Sequence, residues 1–403
     1  MIYTSPIDSI SWDDLQEFCK QGIVENTYLD YKADFPDDLA RTIAAMANTS
    51  GGVILVGVAE TLDGRPVVPA AGIAHAKGLS ERVTNIVIDS ITPPVFPEVC
   101  VCIDESLDRA MILIRVPQSP EGPHAIKKNT RVYLRTGNRN SPETLASVDE
   151  VEWLRAKRAK SAALKGHLSQ QAGSRAGALF ALASESQSNP SASQPMLVLR
   201  VVPTYPAHSF VDPPALKKIF REIAVPDYYG TASSFPIGAR GPVLVQDGAY
   251  MMATLDDDRG SRHYFTELSV FGQFYYQQIV SATYKDMTIV RASEIFCRLD
   301  EFARAAKRFY GAIGYQGYVS MMCSMYGTRQ GRLAHWTPSE TIESTSACPD
   351  KSIGFEDTFL VGDWAHESDR FILRASKTIG WAYDWEFPEG YLQMYYSKHR
   401  LAS

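Results

Sequence analysis

The chain has 403 residues, 45% of them apolar and 21% charged, with a formal net charge of −6. That length suits two domains better than one, and the balance is that of a globular protein rather than a disordered chain. A uniformly basic nucleic-acid binder is excluded, so any phosphate-binding face must be a local patch.

The N-terminus "MIYTSPIDSISWDD" has no basic start and no long apolar core, so it does not read as a signal peptide. A helix is expected over residues 11–21, capped by Ser11 with Asp14 three positions on, and burying Leu15, Phe18 and Cys19. Residues 27–32, "TYLDYK", alternate as a half-buried strand does. Tyr28, Asp30 and Lys32 share one side, Leu29 and Tyr31 the other. A second helix follows Pro36, with Asp37 and Asp38 suited to its N-terminal dipole and Leu39, Ile43, Met46 and Ala47 on its buried face. It stops at "NTSGG", where Asn48, Gly51 and Gly52 can take positive φ. "VILVGV" (53–58) then reads as a central strand covered on both faces.

Further on, the pattern predicts a helix at 79–91, strands at 97–104, 110–116 and 130–137, and a basic helix near 147–165. Mixed helices and hairpins give an α+β domain over 1–165. Residues 166–195 are rich in Ser, Ala, Gln and Gly and read as a linker, with a short helix near 176–184. A second α+β domain, 196–403, carries an amphipathic helix around 290–311 whose Ile295, Phe296, Leu299, Phe302, Ala303 and Ala306 form a packing face. Tyr310, Tyr315 and Tyr318 read as core. No window reaches about 18 uninterrupted apolar residues, so no membrane span is expected. Six scattered cysteines without C-x-x-C spacing fit free thiols in a reducing, cytoplasmic setting.

Chemistry is suggested by three acids. Glu25 precedes the first strand, Asp30 projects from it, and Glu60 follows "VILVGV". If the two strands lie side by side, the carboxylates can converge and would need a hard divalent cation, Mg²⁺ or Mn²⁺. Such an ion activates water for phosphodiester cleavage, and Lys32 on the Asp30 face could contact the phosphate. Three acids spread over 36 positions also occur by chance, an exposed Asp–Lys pair is worth little, and Asp34, Asp37 and Asp38 are explained by the helix N-terminus. Lys127, Lys128, Arg131, Tyr133, Arg135 and Arg139 make a basic strand suited to a nucleic-acid backbone, or a solvated sheet edge. Arg155, Lys157, Arg158, Lys160 and Lys165 extend it. His124 is either an acid–base group or incidental. "AMANTSGG" lacks G-x-x-x-x-G-K-[ST] and precedes a strand, so it cradles no nucleotide phosphate.

"VENTYLDYK", "IAAMANTSGGVILVGVAETLDGRPV", "ITPPVFPEV" and "TRVYLRTGNRNSPET" together resemble the AlbA-like domain of the Schlafen family, over residues 10–160. The resemblance implies a mixed-sheet nucleic-acid domain. In nuclease-active relatives it implies a metal held by three acids and cleavage of tRNA or other structured RNA. Those acids fall on Glu25, Asp30 and Glu60, with Lys32 at the lysine position. Asp30 stands where Glu is usual, Glu60 where Asp is usual, and Ala59 where an acid often precedes it. A metal-dependent endoribonuclease, paired as a homodimer and active in antiviral or stress defence, is the expectation this yields. Its rivals are a non-catalytic DNA- or RNA-binding regulator and an interaction subunit, with the C-terminal domain a sensor, specificity or oligomerisation module.

Overall fold

The computed structural model describes residues 2, 6–136, 143–184, 194–227, 234–257, 260–284, 287–315, 317–329, 331–336 and 341–401. The chain divides into two units, Met1–Ser161 and Ala162–Ser403. Both mix helices and sheets, as the α+β expectation requires.

In the first unit the order is α1 (Trp12–Lys20), β1 (Leu29–Lys32), α2 (Leu39–Asn48), β2 (Gly52–Val56), β3 (Ile73–Ala74), α3 (Leu79–Ser90), β4 (Ile91–Thr92), β5 (Glu98–Asp104), β6 (Arg109–Val116), β7 (Ala125–Ile126), β8 (Arg131–Arg135) and β9 (Glu143–Leu145). Helix α4 (Val148–Ser184) begins there and ends in the second unit. Ser11 caps α1 through the reciprocal bonds expected, its Oγ accepting from the Asp14 N–H and its own N–H donating to Asp14 Oδ2 at 2.8 Å.

Strand β2 pairs parallel with β1 and antiparallel with β6, and β6 also pairs with β3 and β5. Ile54 and Val56 pack with Leu39 and Ile43 of α2 and Val83 and Val87 of α3. Val53 and Leu55 pack on the other face with Leu15 and Phe18 of α1 and with Leu29 and Tyr31. A strand covered on both faces must be apolar throughout, which explains the unbroken "VILV". A separate antiparallel sheet, β4-β7-β8-β9, carries the basic hairpin.

The turn between α2 and β2 needs glycine for a measurable reason. Gly51 has φ +74°, and a Cβ there would lie 2.7 Å from both Gln118 N and Val116 O. Gly51→Ala should therefore cost at least about 1 kcal/mol of local stability, read as faster hydrogen exchange of the β2 amides. An unchanged exchange rate would show that the turn is relaxed. Asn48, expected to share this positive-φ role, instead ends α2 as a buried clip. Its Nδ2 donates to His124 O (2.9 Å) and Tyr133 O (3.0 Å), and its Oδ1 accepts from the His124 N–H (2.8 Å).

The connector expected over 166–195 is different. Helix α4 continues through Ser184, because Ala172, Ala176 and Phe180, spaced by four, pack against Val198, Phe265, Tyr275 and Ile279. Small helix-compatible residues look the same in a linker and in a helix; only a packing partner separates them.

The second unit continues with β10 (Met196–Pro203), α5 (Pro213–Glu222), β11 (Val225–Pro226), β12 (Ser234–Phe235), β13 (Val243–Val245), β14 (Gly248–Asp257), β15 (Gly260–Ser269), β16 (Phe274–Ile279), β17 (Ser281–Tyr284), β18 (Met287–Arg291), α6 (Ala292–Ile313), β19 (Tyr318–Tyr326), β20 (Arg332–Trp336), β21 (Thr341–Ala347), β22 (Ser352–Leu360), α7 (Trp364–Ala382) and α8 (Glu389–Leu401). Its main sheet has the order β13-β14-β15-β16-β10-β19-β22. Ile295, Phe296, Leu299, Phe302, Ala303 and Ala306 of α6 are buried in the main core, as their spacing predicts. Tyr310 is buried too, its hydroxyl donating to Gly272 O at 3.0 Å, while the Tyr315 hydroxyl donates to Tyr318 O at 2.8 Å. Helix α6 also carries charges into the interior. Arg298 is 0% exposed and meets Asp227 at 2.8 Å and Glu301, so its charge is compensated on the spot. Among the described residues no helix is long and apolar enough to cross a membrane.

Candidate functional site: a charge-balanced acid cluster beside a basic hairpin

Strand alternation places Asp30 and Lys32 on the β1 face opposite Leu29 and Tyr31, and Arg135 at the inner end of β8 reaches the same spot. Asp30 is 0% exposed and Arg135 3%. Asp30 Oδ1 lies 2.7 Å from Arg135 Nη2 and Oδ2 lies 2.6 Å from Lys32 Nζ. The same guanidinium reaches Glu25 Oε1 (3.3 Å), Glu143 Oε1 (3.1 Å), and the carbonyls of Asn26 and Leu29 (3.3 Å each). Glu143 faces Arg135 across the β8–β9 pair and also accepts from Thr42 Oγ1 (2.9 Å), with Arg41 Nε at 3.6 Å. Arg41 in turn pairs with Asp38. The network thus ties α2, β1, β8 and β9 together.

The two inner carboxyls titrate apart. Burial, then the proton shared with Asp30 and the negative charges of Asp30 and Glu60, push Glu25 up to about 8, against a smaller pull from Lys32. Burial also acts to raise Asp30, but the hydrogen bond from Glu25 and the charges of Arg135 and Lys32 outweigh it and hold Asp30 below its usual range. With Glu25 holding its proton, Asp30 and Glu143 balance Arg135 and Lys32, and the buried cluster carries little net charge.

A pH dependence follows. Because folding raises the Glu25 pKa from 4.5 to about 8, the native state binds more protons than the unfolded chain across that interval. Stability should fall as pH rises through it. Asp30 acts oppositely: its contribution is present above the ordinary 3.8 and is lost as pH drops through its lower folded value. In Glu25→Gln the decline between pH 5 and 8 should flatten, measured by the pH dependence of unfolding. An unaltered slope would place the titrating group elsewhere.

The third expected acid is not gathered in. Glu60 is exposed, held by a backbone bridge to Pro66, and its influence on Glu25 is electrostatic. Among the described residues no group of three or more His, Cys, Asp or Glu is arranged to hold a metal ion. As folded, the three acids do not form a donor set for Mg²⁺ or Mn²⁺: both Asp30 oxygens face cations, and Glu60 stands apart. A metal would have to displace the Lys32 ammonium.

The basic strand divides. Lys127, Lys128 and Arg131 are exposed, and the Lys127 ammonium donates to Ile88 O at 2.6 Å. Tyr133 is half-buried with the Arg41 guanidinium 5.9 Å from its ring centroid. Arg135, expected on the nucleic-acid face, is inside the acid cluster instead, because β9 places Glu143 opposite it. Arg139 lies outside the described residues. Arg155 and Lys160 of α4 are exposed, and Lys157 lies 5.8 Å from the Trp153 ring centroid. His124 is a core residue: its Nδ1 lies 2.7 Å from Pro93 O, and burial depresses it to about 4, so it stays neutral.

Glu143, Thr42 and Arg41 went unnoticed in the sequence. The only local signal was an acid in "SPETL" eight residues after Arg135, a hairpin distance.

Residues 25–144 match the family model described as Schlafen, AlbA_2. No curated protein matches the chain. A solution NMR structure of the N-terminal domain of a RecG-related protein from Nitrosomonas europaea is similar at 19% identity, covering 29% of this chain and 81% of that one, with a TM-score of 0.24. Residues 25–144 are a Schlafen AlbA_2 domain.

Proposed function

We propose that this domain binds nucleic acid through the exposed basic edge of the β7–β8 hairpin, with the acid cluster as its scaffold. The observation that carries this reading is the opposite fate of charges on one strand: Arg131 reaches solvent while Arg135 is taken up by Asp30, Glu143 and Glu25. Exposed Lys127, Lys128 and Arg131 can neutralise phosphates and release condensed counterions. Structured RNA, tRNA first, is the favoured ligand and duplex DNA the next. The test is fluorescence anisotropy with labelled tRNA and duplex DNA in EDTA. Salt-dependent binding that needs no divalent ion supports the reading; no binding to either sinks it. A second copy of the chain would widen the basic face, and a strictly one-to-one complex by light scattering removes that part.

One observation favours a second reading, endoribonuclease activity. A protonated Glu25 beside an ionised Asp30 and the partly exposed Lys32 is a pairing suited to acid–base work. As the ribose 2′-hydroxyl attacks the phosphorus and loses its proton to solvent, Glu25 would protonate the departing 5′ oxygen while Lys32 meets the phosphate. Fragments from tRNA that vanish in Glu25→Gln would establish it.

A further inference from the structure

The second unit holds a cavity of about 620 Å³ lined by α5, the segment after β12 and the start of β14. That volume is in the range of small-molecule sites. Its lining is chemically two-sided. Phe220, Pro236 and Met251 supply an apolar wall, while Lys217, Arg221 and Arg240 supply three cations, and among the described residues none in the lining is acidic. Lys217 and Arg221 stand four apart on one face of α5, whose only carboxylate near them, Glu222, is taken by Lys218 at 3.0 Å. Among the described residues none of the three cations has a carboxylate partner. In a chain of net charge −6, three uncompensated cations around one cavity are a concentrated positive field.

We infer that this cavity binds a nucleoside 5′-phosphate, free or at the end of a strand. Three separated cations suit a phosphate dianion better than a single carboxylate, and the Phe220–Met251 wall suits a flat, weakly polar ring. Gly241 lines the cavity, and a Cβ built there meets nothing within 4 Å, so a larger side chain is accommodated at this position without a clash. This site is independent of the basic hairpin and of the reading given to it.

Isothermal titration of the full chain with AMP, adenosine and inorganic phosphate tests the inference. AMP should bind at least tenfold more tightly than either part alone. Lys217→Gln/Arg221→Gln/Arg240→Gln should lose at least tenfold, and Gly241→Trp should block binding with its circular dichroism unchanged. A 5′-phosphorylated hexaribonucleotide, run in the Lys127→Gln/Lys128→Gln/Arg131→Gln background, separates the two sources. Tighter binding than AMP assigns a strand end, weaker binding the free nucleotide. Equal affinity for AMP and phosphate, no AMP binding at millimolar concentration, or wild-type affinity in both variants would overturn it.

Discussion

Replacing Arg135 with Met is expected to destabilise the first unit by about 3 kcal/mol, the lower end of what removing one partner from a buried ion pair costs. The substitution keeps most of the side-chain volume but leaves Asp30, 0% exposed, with Lys32 as its one facing cation beside the Glu25 hydrogen bond, and removes the donor shared by the Asn26 and Leu29 carbonyls. Among the described residues Glu143 retains Arg41 at 3.6 Å and the Thr42 hydroxyl. That residual compensation is why the lower end applies. Because the chain has two units, a global unfolding curve would mix their transitions. Hydrogen exchange of the Ile54 and Leu55 amides isolates the first. Asp30→Asn in the same background should recover part of the loss, since the buried charge left stranded by Arg135→Met is then gone. A non-additivity of about 1 kcal/mol or more is expected. A loss below about 1 kcal/mol would mean that the guanidinium does not close the cluster.

The second large effect concerns binding. The triple variant Lys127→Gln/Lys128→Gln/Arg131→Gln should weaken tRNA binding at least about tenfold at moderate salt. It should also reduce the slope of log affinity against log salt by roughly 0.7 to 0.9 for each phosphate that is no longer neutralised. All three side chains are exposed and none belongs to the acid cluster, so the fold should be unaffected. The slope matters more than the affinity. A general loss of structure would weaken binding without a proportionate change in counterion release. Unchanged slope and affinity would move the binding face away from this hairpin, with Arg155 and Lys160 of α4 the next cations to replace.

What the sequence disclosed was what local patterning controls. The Ser11–Asp14 cap, the two-sided burial of β2 and the packing face of α6 all follow from neighbours within about four positions. The site depended on residues over a hundred positions apart. Arg135 and Arg131 occupy equivalent positions in the β8 alternation. Only the docking of β8 near β1, and Glu143 across the hairpin, makes one a buried tie and the other a surface cation. Glu25 and Asp30 were legible as a pair. The need for a metal rested on repulsion between three converging anions; as folded, Glu60 stands apart from the other two, and Arg135 and Lys32 face Asp30. Helix α4 was hidden for a related reason: Ala172, Ala176 and Phe180 announce a helix only when Val198 and Phe265 are there to receive them.

The most direct test of the scaffold reading is incubation of the purified chain with total tRNA in Mn²⁺, in Mg²⁺ and in EDTA, beside Glu25→Gln. A charge-balanced scaffold predicts bound but intact tRNA in every condition, with the variant binding as the wild type does. Discrete fragments that require the metal and disappear in Glu25→Gln would contradict it, and would mean that Lys32 yields its place at Asp30 to a cation.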